Sequence, residues 1–142
     1  MKRQFVLLVA ALLSFGSIGA EAQDAEWPLC ATIRGKPYTC IVDGDSFWMH
    51  GQPYRVYGVS APRTGSQAHC EAEKRKAEEA IGVLQYVLKS GGLTFTSHGL
   101  DSQGWNLVTI RANKGDAAVA LIKSNNSVDH RRSNPDVMRW CR

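Results

Sequence analysis

Glycine and proline divide residues 30–59 into short runs that are rich in aromatic and β-branched side chains. Runs of this length and composition between turn residues are typical of β-strands joined by tight turns. The predicted order is a strand ending at Ile41-Val42, a turn at Asp43-Gly44-Asp45, a strand from Phe47 to Met49, a turn at Gly51-Gln52-Pro53 and a strand from Tyr54 to Val59. This part of the chain therefore predicts a β-meander.

An amphipathic helix is predicted over residues 70–89. Its apolar residues recur at helical spacing and form one face: Ala77, Ala80, Ile81, Leu84, Val87 and Leu88. Glutamates near the start and Lys89 at the end complement the helix dipole. Gly91-Gly92 then ends the helix.

The rest of the chain predicts a hairpin and a second helix. Strands at Leu93–Ser97 and Asn106–Ala112 flank a turn at residues 101–104, and Asp116 caps a helix at Ala117–Lys123. The order of meander, helix, hairpin and helix favours an α+β fold. Within that class we expect a small five-stranded Greek-key barrel of the OB type with two or three helices, and a generic α+β fold is the second choice.

The N-terminus has the pattern of a secretory signal peptide at residues 1–22. Lys2 and Arg3 precede the apolar run Phe5–Leu13, and Ala20-Glu21-Ala22 is a small-x-small cleavage signal. Nine apolar residues are too few for a membrane span, which takes about 20. We therefore expect one exported domain at residues 23–142, periplasmic or extracellular, with no membrane span after cleavage.

Four cysteines remain in the predicted mature chain: Cys30, Cys40, Cys70 and Cys141. An even number in an exported protein predicts two disulfides, and four cysteines allow three pairings. A short bridge between Cys30 and Cys40 is plausible, and Cys70 with Cys141 would then tie the last residues to the body. A zinc site is disfavoured because the chain has no C-x-x-C motif. The scattered histidines are expected at the surface: His50, His69, His98 and His130.

The charge of the chain is mildly basic. The formal net charge is +4, and loss of residues 1–22 lowers it to +3. Such a charge permits an anionic partner without requiring one, and we expect a monomer. A solvated basic tail is preferred to a nucleic-acid patch for the four C-terminal arginines, Arg131, Arg132, Arg139 and Arg142.

An ordered set of motifs resembles the thermonuclease (staphylococcal nuclease-like) family over residues 40 to about 125. It consists of the turn Val42-Asp43-Gly44-Asp45-Ser46, the stretch from Tyr54-Arg55 through Gly58-Val59-Ser60-Ala61-Pro62, Cys70-Glu71, Asp101-x-x-Gly104 and Lys114-Gly115-Asp116. The resemblance implies a nuclease that cuts DNA and RNA with calcium. It assigns calcium binding to Asp45 and phosphate binding to Arg55, and both residues are retained.

Three family positions are replaced in this chain. Ser60 replaces the second metal-binding aspartate of the family, and Arg63 replaces the glutamate that activates or positions water. Trp105 replaces the second phosphate-binding arginine. Calcium favours six to eight oxygens and charged ligands, so we expect weak metal binding at Asp45. Arginine stays protonated and cannot act as a general base. No cofactor is therefore assigned, and calcium is expected only if the site is active.

Other residues offer ways to rebuild the site. Glu71 or Glu73 could replace the glutamate, and Arg63 could replace the missing arginine. Alternatively, Arg55 and Arg63 would form an anion pocket, with Trp48, Tyr57 and Trp105 as stacking faces for bases. A simpler interpretation, slightly preferred, puts Trp48 and Tyr57 in the core and pairs Arg55 with Asp45.

The sequence thus favours a thermonuclease-like binding module with little or no catalysis, whose ligand is an anion, a nucleic acid or a protein partner. The alternative is a calcium-dependent nuclease that hydrolyses phosphodiester bonds with a rearranged site. A protein-interaction module without nucleic-acid contact is the third hypothesis, because a charge of +3 is low for a backbone binder.

Overall fold

The computed structural model of the chain describes residues 27–36, 38–129 and 138–142. The predicted signal peptide at 1–22, His130, Arg131 and Arg132 lie outside the described residues. The regular elements of the described part are β1 Cys40–Ile41, β2 Ser46–Met49, β3 Gln52–Val56, β4 Val59–Ser60, α1 Glu71–Lys89, β5 Thr94–Leu100, β6 Asn106–Ala112, β7 Gly115–Asp116, α2 Ala117–Lys123 and β8 Val128–Asp129. Short 3-10 turns lie at Cys30–Thr32, Gly65–Gln67 and Arg139–Cys141.

The main sheet has the strand order β1-β2-β3-β6-β5, and β7 pairs with β6. Its pairings are antiparallel except for β3 with β6, which run parallel. β4 and β8 form a separate antiparallel pair. This arrangement confirms the α+β class and the predicted order of meander, helix, hairpin and helix.

Several strand boundaries differ from the prediction, some of them by only one residue. The second turn of the meander is His50-Gly51, so Gln52 and Pro53 belong to β3. Both turn residues have positive φ angles, 51° and 75°, which suit a two-residue hairpin because its twist matches that of the strands. Gly58, with φ 79°, divides the predicted strand Tyr54–Val59 into β3 and β4. β5 continues beyond Ser97 to Leu100 through an irregularity in its pairing with β6.

The helices have the predicted positions. α1 begins after Cys70, whose Sγ accepts a hydrogen bond from the backbone N–H of Glu73 at 3.4 Å. Asp116 caps α2 in the same way by accepting from Val119. The predicted apolar face of α1 is buried except for Ile81, which is half-buried. It packs in one core with Phe47 of β2, with β6 and with α2.

Two disulfides form in the structure, Cys30–Cys40 and Cys70–Cys141. The second bridge holds the C-terminal turn Arg139–Cys141 against the beginning of α1. Within the described residues, neither helix has the length and apolarity needed to cross a bilayer.

Candidate functional site

A polar cleft of about 410 Å³ lies where the turn 43–45, β3, β4 and the loop after β4 meet. Four of the five family positions line it: Asp45, Arg55, Ser60 and Arg63. Asp43, Gln67 and Gln103 line it as well. The fold thus brings together residues that are up to 60 positions apart in the chain.

Gly44 places the acidic turn 43–45 against the helix. A Cβ atom at this position would overlap the Cβ of Ala80 in α1 and would lie 2.9 Å from that of Ala61. Such a contact is too close for any side chain, so only glycine allows this approach. The neighbouring carboxylates, Asp43 and Asp45, are held at the rim of the cleft as a result.

Asp45 is buried, and both of its carboxylate oxygens are used by the fold. Oδ1 accepts a hydrogen bond from the Ser46 hydroxyl at 2.8 Å. Oδ2 accepts from the backbone N–H of Ala61, also at 2.8 Å. The carboxylate therefore connects β2 to the loop that carries Arg63.

Asp43 lines the cleft, whereas its sequence context predicts only a turn residue. Its Oδ1 accepts a hydrogen bond from the backbone N–H of Asp45 at 3.1 Å. Burial and the adjacent charge of Asp45 raise the pKa of Asp43 from 3.8 to about 7. The D-x-D spacing was the sequence signal for this carboxylate pair.

Arg55 pairs with Asp101, and the preferred pairing with Asp45 is wrong. Its Nη1 lies 2.6 Å from Oδ2 of Asp101, and its Nε donates to the Ser46 hydroxyl at 3.2 Å. The guanidinium also lies over the ring of Trp105, 5.0 Å from the ring centre. A guanidinium has five N–H donors, so three of them have no partner among the described residues.

Asp101 organises the turn that leads into β6. Its Oδ1 accepts from the backbone N–H groups of Gln103 at 2.8 Å and Trp105 at 2.9 Å. The N–H of Trp105 contributes most to lowering the pKa of Asp101, and the N–H of Gln103 and the charge of Arg55 add to it against the effect of burial. This turn therefore fixes Arg55 and Trp105 relative to each other.

Arg63 is the exposed cation of the cleft. Its side chain lines the cleft and forms no ion pair with any described residue. Its backbone N–H donates to Oε1 of Glu73 at 3.0 Å. Ser60 lies in β4 opposite Val128 of β8 and contributes a neutral side chain.

Glu73 holds the loop that carries Arg63 and does not line the cleft. The side chain is buried, and its Oε2 accepts from the backbone N–H of His69 at 2.6 Å and lies 2.8 Å from the Nδ1 of His69. Burial raises the pKa of Glu73, but the hydrogen bonds from His69 and Arg63 outweigh it, and the pKa is lowered. Glu71 is exposed and also lies outside the cleft. The geometry therefore does not favour either residue as the replacement for the glutamate.

The aromatic side chains lie beside the cleft rather than in it. Trp48 is half-buried and contacts Trp105 edge-on, with 5.9 Å between the ring centres. Tyr57 is 36% exposed and stacks on His98 at 3.8 Å. The prediction that Trp48 and Tyr57 are core residues is wrong, since Trp27 and Phe47 are the fully buried large aromatics of the described chain. His50, His69 and His98 are exposed as expected.

The donor set of the cleft does not fit calcium. No group of three or more His, Cys, Asp or Glu side chains in the described part of the chain could hold one metal ion. Both oxygens of Asp45 accept hydrogen bonds within the fold, and Arg55 and Arg63 share the cleft. Calcium takes six to eight oxygens and binds more tightly as the number of charged ligands rises. Among the described residues that line the cleft, the carboxylates are Asp43 and Asp45, and the two cations beside them disfavour a third.

Comparison with known proteins adds no assignment. No family model matches the chain, and no curated protein matches it in sequence. The resemblance to thermonucleases therefore rests on the motifs described above.

Proposed function

We propose that the chain is an exported thermonuclease-like domain that binds the phosphate backbone of single-stranded nucleic acid in the cleft and hydrolyses it poorly or not at all. The domain spans residues 23–142, follows a signal peptide at 1–22, and belongs to the OB-type barrels. Binding depends on Arg55 and Arg63, and the carboxylates of the acidic turn serve to position the loops.

The observation that carries the proposal is the position of Arg63. Its guanidinium forms no ion pair with a described residue and lines the same cleft as Asp45 and Arg55, at a family position that is a glutamate in an active thermonuclease. Guanidinium groups bind phosphate oxygens through paired N–H donors. Arg55 retains three such donors beside its bond to Asp101. Asp43 and Asp45 line the same cleft, but both oxygens of Asp45 accept hydrogen bonds within the fold. The remaining donors of Arg55 and Arg63 therefore favour a phosphate over a metal ion.

The described lining of the cleft contains no glutamate, and this supports weak catalysis. A positioned general base contributes about 10²–10⁴-fold to a rate. Glu73, which accepts a hydrogen bond from the backbone of Arg63, takes part in three hydrogen bonds and does not line the cleft. Trp105 packs on Arg55 in place of a second arginine. A charged arginine at that position would contribute about 10³–10⁵-fold in phosphoryl transfer.

The strand order supports an OB-type barrel. The path β1-β2-β3-β6-β5 inserts β6 between β3 and β5, and α1 connects the meander to the hairpin. A Greek-key arrangement of five strands has such a crossing. The two disulfides are compatible with export, because disulfides persist in oxidising compartments.

A combined binding and cleavage assay tests the proposal. The oxidised chain from residue 23 is incubated with single-stranded DNA and with RNA, with and without calcium, beside Asp45→Asn, Arg63→Gln and the exposed control Arg111→Gln. We expect no calcium-dependent cleavage, and binding that falls steeply with salt. Arg63→Gln should weaken binding about tenfold, whereas Arg111→Gln should change it little, since Arg111 is exposed and outside the cleft.

Two results would decide against the proposal. Robust calcium-dependent cleavage that disappears in Asp45→Asn would establish the alternative, a nuclease with a rearranged site, which the Asp43–Asp45 pair on the cleft favours. No binding of either nucleic acid at low salt would instead favour a protein partner.

A further inference from the structure

A second pocket lies between α1 and the C-terminal turn Arg139–Cys141. Its volume is about 310 Å³, and it shares no lining residue with the cleft. Its cations are Arg75 and Lys76 from α1 and Arg139 and Arg142 from the C-terminal turn, and its aromatic residue is Trp140. The Cys70–Cys141 disulfide brings these two segments together.

Cationic side chains outnumber acidic ones in the lining of this pocket. Four cationic side chains and one acid, Glu79, line it. Lys76 pairs with Glu79 at 2.8 Å. Arg75 is exposed and forms no ion pair with a described residue. The C-terminal arginines of the described tail are therefore part of a concave site, and not only of a solvated tail.

Trp140 adds an aromatic surface to the charged lining of the pocket. The indole is half-buried in the wall, and the guanidinium of Arg139 lies over its ring, 5.1 Å from the ring centre. Bases stack on indole rings and on guanidinium planes, while guanidinium N–H groups bind phosphate. A cation beside an aromatic face in a pocket of nucleotide size therefore matches both halves of a nucleotide.

We infer that the pocket between α1 and the C-terminal turn binds a nucleoside phosphate. The phosphate group lies against Arg75 and Arg139, and the base lies against the Trp140–Arg139 pair. This site is independent of the cleft proposed above, because the two have no residue in common.

Titration with adenosine monophosphate, followed by the indole N–H signals in a nitrogen–proton correlation spectrum, tests the inference. Trp140→Phe identifies the Trp140 signal among those of the four tryptophans. We expect adenosine monophosphate to shift the Trp140 signal in a saturable way, and inorganic phosphate to bind at least tenfold more weakly because it has no base to stack.

Matched double variants separate this site from the cleft and from general charge effects. Arg75→Gln with Arg139→Gln should weaken adenosine monophosphate binding about tenfold or more. Lys89→Gln with Arg111→Gln removes the same charge from exposed positions outside both cavities and should change the affinity less than twofold. Arg55→Gln with Arg63→Gln should leave the affinity measured from the Trp140 signal unchanged. A failure of the inferred pocket is therefore distinguishable from a failure of the proposed nucleic-acid cleft.

Three results would overturn the inference. The first is no saturable shift of Trp140 in a wild-type protein whose spectrum is that of a folded chain. The second is equal weakening by the Lys89/Arg111 control, which would mean nonspecific charge attraction. The third is equal affinity for inorganic phosphate and adenosine monophosphate, which would mean that the base is not recognised.

Discussion

Gly44 is the residue on which the shape of the cleft most depends. It has no side chain to separate the acidic turn from Ala80 and Ala61, and the carboxylates on both sides of it line the cleft. Glycine is needed at position 44 because α1 and the loop after β4 approach the backbone closely there. A motif comparison identifies the glycine, but only the packed structure gives the reason for it.

Gly44→Ala should therefore destabilise the fold by about 1–3 kcal/mol, the usual cost of overpacking. Urea unfolding followed by tryptophan fluorescence measures the change. Gly82→Ala is the matched control, because Gly82 lies in α1 with no atom near its added Cβ. It should stabilise α1 by about 0.5–1 kcal/mol through helix propensity. Equal effects of the two changes would refute the close approach of the turn.

Arg55 shows what sequence reasoning misses at the residue scale. Its partner Asp101 is 46 positions away, and the two meet because β3 and β6 pair in parallel. The sequence identified both residues, one in a strand motif and one in a turn motif. It could not pair them, because the pairing depends on which strands are neighbours.

At the scale of elements, local signals were sufficient for the helices. Cys70 and Asp116 cap α1 and α2 through hydrogen bonds within three residues, so the boundaries follow from a few adjacent residues. β4 pairs with β8, so that Ser60 lies opposite Val128. No local sequence pattern predicts this pairing. Gly58 lies between β3 and β4, and the sequence does not predict this boundary because β4 pairs with the distant β8.

The loop between β4 and α1 is attached to the helix by Glu73, and this attachment depends on pH. The pKa of Glu73 is below its ordinary value of 4.5, so the ionised carboxylate stabilises the folded state. This contribution is complete above about pH 4.5 and is lost as the pH falls through the lower pKa of the folded state. The loop that carries Arg63 should therefore loosen in acid.

Glu73→Gln should lower the free energy of unfolding at pH 7 by about 1.5–3 kcal/mol, the range for hydrogen bonds to a charged group. Urea titrations at several pH values should show the difference from wild type decreasing below pH 4.5. Glu78→Gln removes an exposed carboxylate from the same helix and should cost less than about 0.5 kcal/mol. A Glu73→Gln deficit that is constant from pH 7 to pH 3 would contradict the role of the charge.

At the scale of the whole molecule, the two disulfides constrain the unfolded chain unequally. Cys70–Cys141 joins residues 71 positions apart, and Cys30–Cys40 joins residues 10 apart. In the chain-entropy description, the longer loop is worth about 4 kcal/mol and the shorter about 3 kcal/mol. The longer bridge also fixes the C-terminal turn on α1.

Replacing Cys70 and Cys141 with serine should therefore destabilise the protein by about 4 kcal/mol. Serine at position 70 retains an N-cap for α1, so the loss reports the bridge rather than the helix start. Replacing Cys30 and Cys40 with alanine provides the comparison, and thermal unfolding measures both. A larger loss from the shorter bridge would contradict the chain-entropy description.

The central proposal is that the cleft binds an anionic phosphate group and not a calcium ion. A crystal of the chain from residue 23, soaked with calcium and a short single-stranded oligonucleotide, tests it most directly. We expect a backbone phosphate against the guanidinium groups of Arg55 and Arg63, and no calcium at Asp45. An ordered calcium ion bound by Asp45 and further carboxylate oxygens would contradict the proposal and establish a metal-binding site.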